Sequence, residues 1–172
     1  MSTSEGIEAL VSEVTQPEGF GGHLDILVNN VGTNIRKKAE EFSDEEYQWL
    51  MRTNQDSAFH LSRKCLSYLR ADEEVGKAPG CVVNVGSISG STVDNTGCPY
   101  HMSKAAMDHM TRYLACEWGP LHGIRVNSVA PWFISTPLTT PVLKGEFASA
   151  VDRATPLRRV GTTAEVNLEL QL

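Results

Sequence analysis

The chain has 172 residues, of which 41% are hydrophobic and 21% charged, and its formal net charge is −6 at pH 7. This length and composition predict one soluble globular domain, residues 1–172, that is large enough for a core. The acidic balance disfavours nucleic acids and anionic membranes as partners. No apolar run approaches the ~20 residues that a membrane span needs, and the acidic N-terminus lacks the apolar region of a signal peptide.

The cysteines and histidines show no metal-binding pattern. The four cysteines form no CxxC pair, and the five histidines include no HExxH motif. Neither a zinc site nor a disulfide framework is therefore expected. We predict reduced thiols, no bound metal and a cytoplasmic location.

Apolar segments of strand length alternate with helical segments along the chain. The predicted helices cover about 5–14, 43–70, 99–118 and 142–152, and the predicted strands are 24–30, 81–85 and 124–130. Ser43 and Glu46 have the spacing of a capping box, which marks the start of the second helix. Gly119 and Pro120 are expected to end the third helix. A proline- and threonine-rich loop is expected between the third strand and the last helix, and the chain is expected to end in a short tail.

This alternation predicts an α/β fold in which a parallel sheet carries helices on both faces. In such sheets, ligands bind beyond the carboxyl ends of the strands. Polar and small residues follow each predicted strand at that edge: Asn29, Asn30 and Gly32, then Ser87 and Ser89, then residues 131–136. We therefore expect the functional site there.

Tyr100 and Lys104 are four residues apart on a predicted helix, so their side chains share a face. A free phenol titrates near ~10, and a nearby cation favours the phenolate and lowers that pKa. Such a tyrosine is suited to exchange a proton with a substrate oxygen, and Ser87 could hold the same oxygen. Asn54, inside the second helix, could hold a water beside the site. Taken alone, however, the tyrosine and lysine would be read as a surface pair, and the asparagine as a solvated residue.

Together these motifs resemble the short-chain dehydrogenase/reductase family. NNVG (29–32), a serine thirteen residues before the tyrosine of YxxxK (100–104), and the helix asparagine in RTNQDSAFH all match its pattern. NSVAPWFIST (127–136) matches the family segment that reaches the nicotinamide, with Trp132 at a position that is usually glycine. NNVGTNIRK, ACEWG, NSVAPW and TPLRRVG resemble the plant-type tropinone reductase-like subgroup.

The resemblance implies a role for each matching residue. Tyr100 would be the general acid, Lys104 would lower its pKa and bind the nicotinamide ribose, Ser87 would orient the carbonyl, and Asn54 would hold a proton-relaying water. Contacts with an NAD(P)(H) cofactor, NADP(H) in preference to NAD(H), would come from Asn29, Asn30, Gly32, Tyr100, Lys104, Pro131, Ile134 and Thr136. The substrate would be a small carbonyl compound or alcohol whose identity the sequence does not reveal, and the family's helices imply a homo-oligomer.

The chain also departs from the family pattern. A dinucleotide fold of this type has six parallel strands and an early glycine-rich turn for the pyrophosphate, whereas the sequence predicts three strands. GFGG (19–22) precedes a strand rather than following one. We therefore expect an incomplete Rossmann-like, doubly wound sheet, truncated at both ends, with weak or no cofactor binding. The alternatives are an inactive form that pairs with a full-length homologue and, remotely, a serine hydrolase, although no G-x-S-x-G motif is present.

Overall fold

A computed structural model of the chain describes residues 3–16, 22–71 and 76–169. In these ranges, three parallel strands form one sheet in the order β1-β2-β3: β1 is Ile26–Asn29, β2 is Cys81–Val85 and β3 is Arg125–Val129. The α-helices are α1 Ser4–Val14, α2 Asp44–Met51, α3 Ser57–Leu69, α4 Cys98–His122, α5 Gly145–Ala154 and α6 Thr163–Glu169. The three predicted strands are thus confirmed, with ends that differ by at most two residues.

The predicted second helix is confirmed but is not continuous. Its capping box is present: the Glu46 N–H donates to Ser43 Oγ at 3.2 Å, and the Ser43 N–H donates to Glu46 Oε2 at 3.1 Å. A π-helical turn, Arg52–Asp56, separates α2 from α3. Such turns are rare inside helices and occur frequently at functional sites.

The prediction that Gly119 and Pro120 end the third helix is wrong, because α4 continues to His122. The end lies at Gly123, whose positive φ of 71° favours glycine and whose N–H donates to the Gly119 carbonyl at 2.9 Å. Pro120 removes only one backbone donor close to the end of the helix, so the helix tolerates it there.

The core lies between the helices and one face of the sheet. Side chains alternate across a strand, and Leu27, Val82 and Val126 point toward the core. The buried residues of the core cluster are Ile7, Leu24, Leu61, Cys65, Leu69, Val82, Leu114, Trp118, Ile124 and Val126. These residues come from α1, α3 and α4 as well as from the sheet and its flanking positions.

The prediction of helices on both faces is met on one face only, within the part of the chain that the structure describes. On the opposite face, the side chains of Ile26 and Val28 in β1 are 56% and 40% exposed. Toward the carboxyl end of the strands, Val28 and Val85 border a cleft whose far wall includes Val166 of α6. The sheet therefore presents an open apolar area at β1.

Helix α6 lies in the segment that was predicted to be a short tail. A capping arrangement starts it: the Thr162 N–H donates to Glu165 Oε2 at 2.8 Å, and the Glu165 N–H donates to Thr162 Oγ1 at 3.4 Å. The spacing of these two residues is the same as in the capping box of α2, so the sequence did contain a signal for the helix. In the described ranges, no helix combines the length and the apolar character needed to cross a membrane.

Candidate active site

Ser87 and Tyr100 come together at the carboxyl edge of the sheet. Ser87 is buried, follows β2 after Gly86, and caps a short 3₁₀ turn, with its Oγ accepting the Ser89 N–H at 3.2 Å. Tyr100 lies in the first turn of α4, and the Ser87 hydroxyl is near enough to act on the pKa of its phenol. Gly97, just before α4, has a φ of 130°, and a Cβ there would lie 2.5 Å from the Ile35 carbonyl oxygen, so glycine lets the loop at Ile35 pass close to the start of the helix.

Lys104 lies one helical turn after Tyr100 and on the same side of α4. Its side chain is only 4% exposed, and its Nζ donates to the Val85 carbonyl at 2.7 Å. The Nζ is 5.8 Å from the centroid of the Tyr100 ring. Burial lowers the pKa of Lys104 to about 8, while the carboxylate of Asp108 acts in the opposite direction. The ammonium is thus held in place by the end of β2 and favoured by Asp108.

The pKa of Tyr100 differs from the sequence-based expectation. Burial raises the pKa of this phenol, the hydrogen bond with Ser87 acts to lower it, Asp94 raises it further, and Arg36 lowers it. The net direction is upward, so the prediction that Lys104 lowers this pKa is not met in the structure without ligands. A buried phenol is harder to ionise than an exposed one, since burial disfavours the charged form. Tyr100 is therefore protonated at neutral pH, as a proton donor must be.

Asn54 is fully buried in the π-helical turn and binds the loop that follows β1. Its Oδ1 accepts the Thr33 N–H at 2.8 Å, and its Nδ2 donates to the Thr33 carbonyl at 2.9 Å and to Ser103 Oγ at 3.1 Å. A Cβ on Gly32 would lie 3.5 Å from Lys104 Nζ and 3.7 Å from Asn54 Oδ1. Asn54 therefore fixes this loop directly beside the lysine.

Two cavities have Ser87 and Tyr100 in their linings. The first, which we call the cleft, has about 1250 Å³ of empty space and is bordered by Lys104. The predicted cofactor residues Asn30, Gly32, Pro131, Ile134 and Thr136 all line the cleft. The second, which we call the recess, has about 420 Å³ of empty space and is bordered by Arg36 and Asp94. Ser87 and Tyr100 line both cavities.

Asn29 was predicted to contact a cofactor, but its side chain does not line the cleft. It is buried on the core side of the sheet, where Nδ2 donates to Ser62 Oγ at 2.9 Å and to Asn84 Oδ1 at 2.8 Å. Asn84 Nδ2 in turn donates to Thr111 Oγ1 at 2.8 Å. The strand alternation that directs Leu27 into the core directs Asn29 there as well, so this residue joins β1 to β2 and α3.

The segment after β3 is held against the site by short contacts. The Ser135 N–H donates to the Gly161 carbonyl and the Gly161 N–H donates to the Phe133 carbonyl, both at 2.9 Å. Trp132, at the position where the family usually has glycine, borders both cavities and donates its Nε1–H to Thr155 Oγ1 at 3.1 Å. This segment therefore forms a fixed wall common to the cleft and the recess.

The sequence reasoning missed three charged residues around the site. Arg36 and Asp94 border the recess, and Asp108 lies one turn beyond Lys104 in α4. Only the four-residue spacing of Lys104 and Asp108 was a usable signal, because acid–base pairs at this spacing lie on one helix face. Arg36 and Asp94 lie on loops, whose approach to Tyr100 depends on the tertiary structure.

Comparisons with known proteins agree with this geometry. A family model described as "Enoyl-(Acyl carrier protein) reductase" matches residues 1–168. A tropinone reductase homolog of Arabidopsis thaliana is 44% identical over 161 residues, which cover 93% of this chain and 58% of that protein. The chain therefore spans little more than half of the length of this relative.

Solved structures share the fold. The crystal structure of gox2181 has a TM-score of 0.86 and 32% identity, with 99% of this chain and 64% of that chain covered. A structure described as an NAD(P)-dependent gluconate 5-dehydrogenase from Beutenbergia cavernae, with NADP bound at low occupancy, has a TM-score of 0.78 and 27% identity, with 94% and 61% covered. The sheet, the helices and the family match together confirm the α/β, Rossmann-like fold. The chain belongs to the short-chain dehydrogenase/reductase family.

Proposed function

We propose that this site catalyses NAD(P)(H)-dependent reduction of a carbonyl group, or oxidation of a secondary alcohol, in the manner of tropinone reductase-like proteins. The observation that carries the proposal is that Ser87 and Tyr100 line both the cleft and the recess, with Lys104 bordering the cleft beside them. A cofactor in the cleft and a substrate in the recess would then meet at two hydroxyl groups. NADP(H) is favoured over NAD(H) because a structural relative is described with NADP bound.

The residues that line the cleft fit a dinucleotide. Gly32 leaves open space beside Lys104 Nζ that a larger side chain would fill, and the buried ammonium suits hydroxyl and phosphate groups. Asn30, Gly32, Lys104, Pro131, Ile134 and Thr136 would hold the cofactor. When bound, the nicotinamide would supply the hydride, so the chain itself contributes binding, orientation and proton transfer.

Proton transfer follows from the positions of three side chains. As negative charge develops on the substrate oxygen, the Ser87 hydroxyl can donate a hydrogen bond to it, and the Tyr100 phenol can give it a proton. The phenolate that remains is costly in a buried position, and the Lys104 ammonium, 5.8 Å from the ring centroid, stabilises it. The water-holding role of Asn54 stays a prediction, since its amide binds Thr33 and Ser103 in the structure.

A second candidate function is a form without catalytic activity that pairs with full-length homologous subunits. What favours it is strand β1, which pairs only with β2 among the described residues and leaves Ile26 and Val28 exposed. An unpaired strand edge with apolar side chains is a surface on which another chain can add. A homo-oligomer of this chain would use the same kind of contact.

Cofactor titration separates the two candidates. Wild-type chain and Lys104→Met are titrated with NADPH, and the cofactor fluorescence is followed. Binding that the substitution weakens supports the catalytic proposal, whereas no binding at millimolar NADPH supports the pairing form. Saturation at micromolar NADPH would contradict the expectation of weak binding.

Turnover tests the chemistry itself. With NADPH and a panel of small ketones, Ser87→Ala should lower kcat roughly tenfold or more, because the substrate oxygen loses a hydrogen-bond donor. Ser91→Ala is the matched control, since Ser91 is exposed and lies just beyond the 3₁₀ turn that Ser87 caps. Equal kcat values for the two variants would contradict the assigned role of Ser87.

A further inference from the structure

Among the described residues, two charged side chains border the recess, Arg36 and Asp94. They differ in the partners that surround them. The only hydrogen bond of the Arg36 side chain within the described ranges runs from Nη2 to the Leu138 carbonyl oxygen, at a distance of 3.5 Å. No carboxylate in these ranges forms an ion pair with Arg36.

Asp94, by contrast, has several polar partners inside the protein. Its Oδ1 accepts the Thr96 Oγ1–H at 2.6 Å and the Thr96 N–H at 3.0 Å, and it lies 2.8 Å from His101 Nε2. The other ring nitrogen of His101, Nδ1, lies 2.9 Å from the Thr92 carbonyl oxygen. Asp94 therefore has hydrogen-bonding partners on Thr96 and His101 inside the protein.

The carboxylate of Asp94 is stabilised as the anion. Burial acts to raise the pKa of Asp94, but the hydrogen bonds from Thr96 and His101 outweigh burial, and the net direction is downward. The recess therefore contains one carboxylate that is hydrogen-bonded within the protein and one exposed guanidinium that forms no ion pair in the described part of the chain. Arg36 is close enough to the reacting hydroxyl that its charge acts on Tyr100.

We infer that the recess binds a substrate that carries a carboxylate, with the carboxylate at the guanidinium of Arg36 and the carbonyl group at Ser87 and Tyr100. This inference rests on the proposed function and names the class of its substrate: small oxo acids, and the hydroxy acids that correspond to them. A planar guanidinium matches the two oxygens of a carboxylate and forms charge-assisted hydrogen bonds with them. Arg36, Ser87 and Tyr100 all line the recess, so one small molecule could contact the guanidinium and both hydroxyl groups.

The test compares an acid with its neutral ester. The probes are 4-oxocyclohexanecarboxylate and its methyl ester, which have the same ketone and differ in charge. Their affinities for wild-type chain, Arg36→Leu, Arg36→Lys and Arg112→Leu are measured by isothermal titration calorimetry without cofactor, and their turnover is measured with NADPH. Arg112 is an exposed arginine of α4 that lies outside the residues lining the recess, so Arg112→Leu controls for the loss of one positive charge.

Wild type should bind the acid roughly tenfold more tightly than the ester, as expected for a hydrogen bond to a charged group. Arg36→Leu should abolish this preference, Arg36→Lys should keep part of it, and Arg112→Leu should keep it all. Equal affinities in wild type, a preference that survives in Arg36→Leu, or no binding of either probe at tens of millimolar would overturn the inference.

Failure of the proposed function gives a different result. If the proposed function is wrong, NADPH is not consumed with either probe, whatever the affinities of the two probes. If the chain turns over both ketones with the same kcat/KM, and Arg36→Leu changes neither value, the carboxylate inference is overturned and the proposed function stands.

Discussion

Lys104 is a cation in a position that is unfavourable for charge. Its side chain is 4% exposed, and burial lowers its pKa from 10.5 to about 8. The Val85 carbonyl and Asp108 compensate for part of the lost hydration. Keeping a lysine here reduces the stability of the folded chain at neutral pH, which is what we expect of a residue retained for function.

This pKa predicts how stability changes with pH. Below about pH 8 both the folded and the unfolded chain carry the proton, and the folded chain bears the cost of the buried charge. Between about 8 and 10.5 the folded chain has lost the proton while the unfolded chain keeps it, so the free energy of unfolding rises with pH. The rise is at most about 3 kcal/mol, from about 1.36 kcal/mol per pKa unit.

Urea unfolding at several pH values checks this expectation. The free energy of unfolding of wild type should rise relative to that of Lys104→Met between pH 8 and 10.5. Lys144→Met, which removes an exposed lysine, should follow the wild-type curve. Parallel curves for wild type and Lys104→Met would show that the lysine titrates normally.

At the scale of secondary structure, the π-helical turn Arg52–Asp56 directs Asn54 toward the site. Three hydrogen bonds connect Asn54 to Thr33 and Ser103, and they tie the loop after β1 to α4. A regular α-helix over the same residues would change the direction of this side chain. The π-helical turn therefore lets the side chain of Asn54 reach both a loop and a second helix.

Asn54→Ala should lower the free energy of unfolding by about 1–3 kcal/mol, because it leaves the backbone N–H and C=O of Thr33 without their partner. Gln55→Ala, in the same turn, controls for a change of helix propensity. Chemical denaturation of both variants measures the difference. If Asn54→Ala is no less stable than Gln55→Ala, the hydrogen bonds to Thr33 do not hold the loop.

Local signals in the sequence identified most of the elements. The strands were visible as compact apolar runs, and the capping box at Ser43 located the start of α2. The same spacing at Thr162 and Glu165 identifies α6 in retrospect. The end of α4 was misjudged because Pro120 is a weaker stop than the left-handed Gly123, and the π-helical turn has no sequence signal that we recognise.

The residues of the candidate site likewise fall into those with a local signal in the sequence and those without one. Ser87, Tyr100 and Lys104 could be identified from the sequence, because their spacing reflects one strand end and one helix face. The burial of the Asn29 side chain was not predicted, because a strand that ends in asparagine gives no direction for that side chain until its parity with Leu27 is considered. The direction of the pKa shift of Tyr100 could not be predicted from the sequence, because burial and the positions of Arg36 and Asp94 depend on the tertiary structure.

At the scale of the whole molecule, the sheet leaves apolar surface uncovered in the described part of the chain. Ile26 is 56% exposed on a strand that pairs on one side only within those residues. The chain spans 58% of the length of its Arabidopsis relative. Apolar surface at a strand edge favours association with another chain, either a second copy or a homologue.

We expect the chain to associate as its concentration rises, and Ile26→Lys to shift it toward the monomer, because a charge at a strand edge opposes pairing. Val93→Lys is the control, since Val93 is 84% exposed but lies in a loop. Light scattering coupled to size exclusion measures the mass of each variant. A wild-type chain that is monomeric at high concentration would contradict the expectation.

The central claim is that Tyr100 is the proton donor of a carbonyl reductase, and one pair of variants tests it most directly. Steady-state reduction of small ketones at millimolar NADPH is measured for wild type, Tyr100→Phe and Tyr113→Phe, the last removing a hydroxyl from a tyrosine of α4 that is 64% exposed. We predict that Tyr100→Phe lowers kcat about 10²–10⁴-fold and that Tyr113→Phe leaves it unchanged. A wild-type chain without turnover, or a Tyr100→Phe chain as active as wild type, would contradict the account.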